Sequence, residues 1–145
     1  MNNRRLYWSV TFFISLLTLA QAETSTFVPQ GKIEEFVFKD SKIYPGTERV
    51  VNVYIPDQLN PKISACIYIQ QDGMKPTSAA VLDTLIAKNV IPAMVGIFIR
   101  PGNVPPLNEN TIFRQNRCFE YNSLGDRYAR FILEEIIPYV QDKYK

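Results

Sequence analysis

SACIYIQQDGMKPTSAAVLDTLIAKNVIPAMVGIFI, residues 64–99, decides the fold of this chain. Ser64 to Gln70 is a short, almost continuous apolar run, the pattern of a central strand covered on both faces. Thr77 or Ser78 can cap a helix over Ala79 to Lys88, in which Val81, Leu82, Leu85 and Ile86 recur at spacings of three and four on one face. Pro92 to Ile99 is a second near-continuous apolar strand. Strand, helix and strand in that order form a βαβ unit, which crosses over right-handed and lays its helix on one face of a parallel sheet. The fold class is therefore α/β.

Working outward, Lys32 to Lys39 is rich in Ile, Phe and Val, and Pro45-Gly46 marks a turn before Arg49 to Ile55, which alternates around Val51, Val53 and Ile55. These two segments read as an antiparallel meander ahead of the parallel unit. On the other side, Arg100 to Cys118 carries Pro101, Gly102, Pro105 and Pro106 and is too long and polar for a simple connector. Arg117 to Asn122 continues as a charged loop. From Leu124 an amphipathic helix runs through Tyr128, Phe131, Ile132, Ile136 and Tyr139, with Asn122 or Ser123 as its cap and Asp126 near its positive end. Pro138 should kink or restart it, because the ring clashes with the preceding turn and the nitrogen donates no hydrogen bond.

Residues 1–22 form a separate segment, in which Arg4 and Arg5 precede an apolar run from Leu6 to Ala20 that ends in the small-x-small pattern Ala20-Gln21-Ala22. This is the pattern of a cleaved export signal. The run falls short of the roughly 20 residues a bilayer core requires, so no stable membrane anchor is expected after cleavage. The expected organisation is a signal peptide over residues 1–22, a polar leader over 23–31 and one domain over 32–145, exported to a periplasmic or extracellular destination. Removing Arg4 and Arg5 from 16 basic residues leaves 14 against 14 acidic ones. No basic stripe remains for nucleic acid. Cys66 and Cys118 are the only cysteines, in a compartment where they could pair. Cys66 reads as a buried thiol inside its apolar run, with a Cys66–Cys118 disulfide as the alternative. Two separated cysteines and no histidine form no metal-ligand cluster, and no cofactor is expected.

Asp72-Gly73-Met74 falls immediately after the first strand of the βαβ unit, where open α/β sheets bind ligands beyond their carboxyl ends. A tight turn that simply requires glycine is the plainer reading. CIYIQQDGM, with NRCFEYNSLGDRYARFILEEIIPYV further on, resembles the esterase family that includes the enterobactin (enterochelin) esterases and is related to the mycolyltransferases. The second stretch resembles that family's Arg-x-x-Glu-Tyr loop and following helix. The resemblance runs from the Lys32 strand to Lys145. It implies the amino-terminal half of an α/β-hydrolase fold, an antiparallel meander leading into a parallel βαβ sheet and ending before the nucleophile strand. It also implies that the Met74 backbone N–H is one oxyanion-hole donor, and that Asp72, Gly73, Arg117, Glu120 and Tyr121 line the site. Arg117 and Glu120 could fix each other or orient an oxygen-rich substrate. On the helix, Arg130 and Glu134 are spaced as an ordinary surface ion pair, and Asp126, Arg127 and Glu135 belong with them to a solvated face.

The catalytic residues of a serine esterase are not in this sequence. There is no Gly-x-Ser-x-Gly and no histidine, so nucleophile, acid and base are expected beyond Lys145. The expectation is the amino-terminal fragment of an exported serine esterase acting on a small-molecule carboxylic ester of siderophore, carbohydrate or lipid type, inactive as it stands. Without a fifth strand beside it, Ser64 to Gln71 would be an exposed edge that favours aggregation. The alternative is an exported non-catalytic module that uses the Arg100–Cys118 loop to hold a glycan or peptide.

Overall fold

A computed structural model of the chain describes residues 27–144. The expected signal peptide and the first residues of the polar leader lie outside the described residues. The main sheet has four strands: β1 (Lys32–Phe38), β2 (Arg49–Ile55), β3 (Cys66–Gln71) and β4 (Met94–Ile99), in spatial order β1-β2-β4-β3. β1 and β2 are an antiparallel hairpin, and β2 is antiparallel to β4. β3 and β4 are parallel, joined through helix α1 (Ser78–Ala87). The meander and the βαβ unit are therefore one mixed sheet.

Helices cover both faces. On one, Phe36, Phe38, Val51, Val53, Ile97 and Ile99 pack against Phe131, Ile132, Ile136 and Val140 of the carboxyl-terminal helix. On the other, Tyr54 and Phe98 meet Leu82 and Ile86 of α1. Period-two alternation sends successive side chains to opposite faces: β4 is buried continuously from Gly96 to Ile99, whereas in β2 the buried Arg49, Val51 and Val53 alternate with the half-buried Val50 and Asn52.

Burial within the βαβ unit differs from the sequence expectation. The doubly covered strand is β4, whereas Cys66, Ile67 and Tyr68 of β3 are exposed. β3 pairs only with β4 among the described residues, and a strand's burial follows its place in the sheet order rather than its composition. Cys66 is consequently an exposed free thiol and not a buried one, and Cys118 is also free and exposed. Val81, expected on the buried face of α1, is half exposed. In its place Asp83 turns inward, where its Oδ1 accepts from the Tyr54 hydroxyl at 2.7 Å and from the Gly31 N–H at 2.8 Å.

The long segment after β4 contains a two-stranded antiparallel ribbon, β5 (Asn103–Val104) with β6 (Arg114–Gln115). Arg117–Asn122, expected as loop, is a short helix, α2. The final helix begins at α3 (Arg127–Arg130) with Asp126 at its cap position in place of Asn122 or Ser123. It continues through a π-wound segment, Phe131–Ile136, into α4 (Ile137–Lys143). Pro138 explains the π winding: it cannot donate to the Glu134 carbonyl and its ring crowds that turn, so the ladder widens just ahead of it. Arg130 and Glu134 form the expected exposed pair, at 2.8 and 3.2 Å. Glu135 does more than face solvent. Its carboxylate accepts from the Ser41 hydroxyl and from the Lys42 and Ile43 N–H groups, tying the β1–β2 loop to the helix. Among the described residues no helix is long and apolar enough to cross a membrane.

Candidate functional site

Beyond the carboxyl ends of β3 and β4, the chain leaves β3 through two consecutive residues in the left-handed region, Asp72 at φ 63° and Gly73 at φ 75°. A side chain at position 73 would be strained by that backbone, and its Cβ would come within 2.7 Å of Arg100 Cγ. Three contacts hold the turn. The Asp72 N–H donates to the Tyr121 hydroxyl oxygen at 3.3 Å, the Gly73 N–H donates to the Ile99 carbonyl at 3.0 Å, and the Gln70 amide donates to the Gly73 carbonyl at 2.8 Å. The next donor, the N–H of the half-buried residue Met74, has no hydrogen-bond partner among the described residues.

The Asp72 carboxylate takes a two-pronged contact from Arg117, with Nε and Nη2 each at 2.7 Å. That guanidinium also lies 5.2 Å from the centroid of the Tyr121 ring. The Arg117 hydrogen bond holds the Asp72 carboxyl below its ordinary value, against a smaller opposing effect of burial. The same contact raises the Arg117 pKa, so both groups are charged at neutral pH. Burial raises the Tyr121 phenol, partly offset by the hydrogen bond it accepts from the Asp72 N–H.

Glu120 does not meet Arg117. It points inward to Arg49, whose Nη1 and Nη2 reach its two oxygens at 2.9 and 3.0 Å with both side chains fully buried. The Gly102 N–H and the Asn116 amide donate to the same carboxylate, and Arg49 Nη2 also donates to the Thr47 hydroxyl. The guanidinium sits 4.2 Å from the centroid of the Phe131 ring. A Cβ at position 102 would collide with Glu120 and Arg49, so glycine is what lets that backbone approach the pair. Residues 120 and 121 both lie one turn from residue 117 on α2, and what separates Glu120 from Arg117 is its buried partners Arg49, Gly102 and Asn116.

The expected site residues thus fall into two groups. Asp72, Gly73, Met74, Arg117 and Tyr121 meet at the mouth of the sheet, and Glu120 anchors the helix beneath them. Arg49, Asn116 and Thr47 were missing from the sequence expectation. For Arg49 a signal existed, because the alternation that buries Val51 and Val53 places residue 49 on the same covered side, where an arginine requires a carboxylate partner. Among the described residues no cluster of three or more His, Cys, Asp or Glu is placed to hold a metal ion.

No protein-family model matches the chain, and no curated protein matches it. Solved structures do. A ferulic acid esterase aligns with 79% of this chain and 45% of its own, at 18% identity and TM-score 0.50. A mutant of the feruloyl esterase module from Clostridium thermocellum, complexed with sinapinate, aligns with 80% of this chain and 37% of its own, at 16% identity and TM-score 0.47. The chain therefore spans less than half the length of these structures, and over most of its own length it has an esterase-like fold.

Proposed function

We propose that the chain is the amino-terminal part of an exported serine esterase of the enterobactin-esterase-like group, contributing the oxyanion side of a carboxylic-ester hydrolase site. The observation that carries this reading is the N–H of Met74, unpartnered among the described residues at the mouth of the sheet while its two predecessors are both engaged. A donor fixed in advance at that position favours the tetrahedral state of acyl transfer, in which the ester carbonyl oxygen becomes negative. Arg117 and Tyr121 take no part in bond making. They hold Asp72 and so set the direction of the Met74 N–H. The serine nucleophile, histidine base and orienting carboxylate come, in this reading, from residues beyond Lys145, and the substrate is a siderophore, carbohydrate or lipid ester. Export rests on the pattern of residues 1–22.

Reading the frame past codon 145 tests the proposal. Continuation into a strand, Gly-x-Ser-x-Gly and later Asp or Glu and His is the expected result. In that longer protein, Met74→Pro removes the donor and should lower kcat on a p-nitrophenyl ester by about 100- to 1,000-fold, with Met74→Leu close to wild type. A longer frame without such a serine, or full activity in a folded Met74→Pro variant, would contradict it. The 145-residue chain alone should release no p-nitrophenol above the buffer rate.

A further inference from the structure

On the side of α2 turned away from Asp72 lies a cleft of about 550 Å³, walled by the β1–β2 loop, the β5–β6 ribbon, α2 and the start of α3. We propose that it binds a small-molecule oxyanion, a carboxylate or phosphate group carried on an apolar body; the inference is independent of the esterase reading. The volume falls in the range of small-ligand pockets, about 300–1,000 Å³. Two arginines, Arg114 and Arg127, line it. Arg49, Arg117 and Arg130 each grip a carboxylate, whereas Arg114 and Arg127 form no ion pair among the described residues. The nearby Glu120 does not compete for them, because its oxygens already accept from Arg49, Gly102 and Asn116.

The apolar half of the cleft is Phe119, half exposed with Arg127 at 5.5 Å from its ring centroid, together with Tyr44. Tyr44 is 3% exposed, and its hydroxyl is buried without a hydrogen-bond partner. Burial, reinforced by Glu120, raises that phenol against the opposing pull of Arg127 and Arg49, so it is neutral and retains a proton to donate. Two guanidiniums that form no ion pair among the described residues, with an exposed aromatic ring beside Arg127, are complementary to an anionic head on a flat apolar group.

The test titrates the chain with benzoate, phenyl phosphate, inorganic phosphate and the neutral benzamide. Binding is followed by calorimetry and by the iodoacetamide alkylation rate of Cys118 in a Cys66→Ser background, since Cys118 lines the cleft. The expected result is saturable one-to-one binding of benzoate or phenyl phosphate that slows alkylation, and no binding of benzamide. Arg114→Gln and Arg127→Gln should each weaken binding by about tenfold. Arg130→Gln, outside the cleft, should leave it unchanged. Saturable binding by neither aromatic anion, equal binding of benzamide, inorganic phosphate binding as tightly as the aromatic anions, or indifference to both arginine substitutions in folded variants would overturn the proposal.

Discussion

Two forked arginine–carboxylate pairs, one carboxylate or guanidinium of each carried by α2, differ in geometry and surroundings: Arg49 grips Glu120 end-on through Nη1 and Nη2, and Arg117 grips Asp72 side-on through Nε and Nη2. Arg49–Glu120 is wholly buried, and Arg117–Asp72 is 49% and 37% exposed at its two side chains. In water the mutual attraction of an exposed pair is largely cancelled by solvation and side-chain entropy. In the interior, by contrast, removing one partner strands the other as an uncompensated charge. The buried pair therefore fixes where α2 lies, and the exposed pair, carried on α2, fixes how the Asp72–Gly73 turn is held.

Breaking the buried pair should have the largest effect. Glu120→Ala leaves Arg49 buried without its carboxylate and should cost about 3–5 kcal/mol in urea unfolding. The double change Arg49→Met with Glu120→Leu should recover most of that loss. If the double variant is as unstable as the single one, the pair acts through packing and the comparison fails.

At the turn itself, Gly73→Ala combines a left-handed backbone with the close approach of Arg100, and should destabilise by about 1–3 kcal/mol. An unchanged urea midpoint would show that the turn relaxes to another conformation. The exposed pair should respond differently: Arg117→Gln should lower the unfolding midpoint far less than Glu120→Ala does while loosening residues 71–74.

Acid sharpens the contrast. The Asp72 carboxyl is depressed on folding, chiefly by Arg117. Its contribution is therefore fully present above the ordinary carboxylate value of 3.8, and it is lost as the pH falls through the lower folded value. A carboxyl-carbon NMR titration should show Asp72 protonating below the ordinary value, and at a higher pH in Arg117→Gln than in the wild type. The smallest effect concerns the cysteines: both Cys66 and Cys118 should react with a thiol reagent in the folded chain without denaturant, and protection of either would contradict its exposed position.

The sheet was legible because its signals are local: alternation in Arg49–Ile55, continuous apolar character in Pro92–Ile99 and a helical period between strands. Burial was less so. Cys66 and Ile67 have the composition of a core strand, but their exposure depends on which strand lies beside β3, and strand order is a long-range property. At the site, the turn was recognisable from Asp72-Gly73, whereas Arg117, Glu120 and Tyr121 were singled out as residues of a loop and stand on the helix α2. Who pairs with whom was not, because Arg49 and Glu120 stand 71 positions apart and leave no local trace of their contact. Asp83 illustrates the same limit, since its partners Tyr54 and Gly31 come from another strand and from the leader.

Amide hydrogen exchange at three consecutive positions tests the central claim most directly. Asp72 and Gly73 should exchange slowly, because Tyr121 and Ile99 accept from them, and Met74 should exchange much faster; in Arg117→Gln, protection at Asp72 should fall while Gly73 keeps its own. Strong protection of Met74 in the wild-type chain would contradict the account, since its N–H would then already be committed and could not serve an oxyanion.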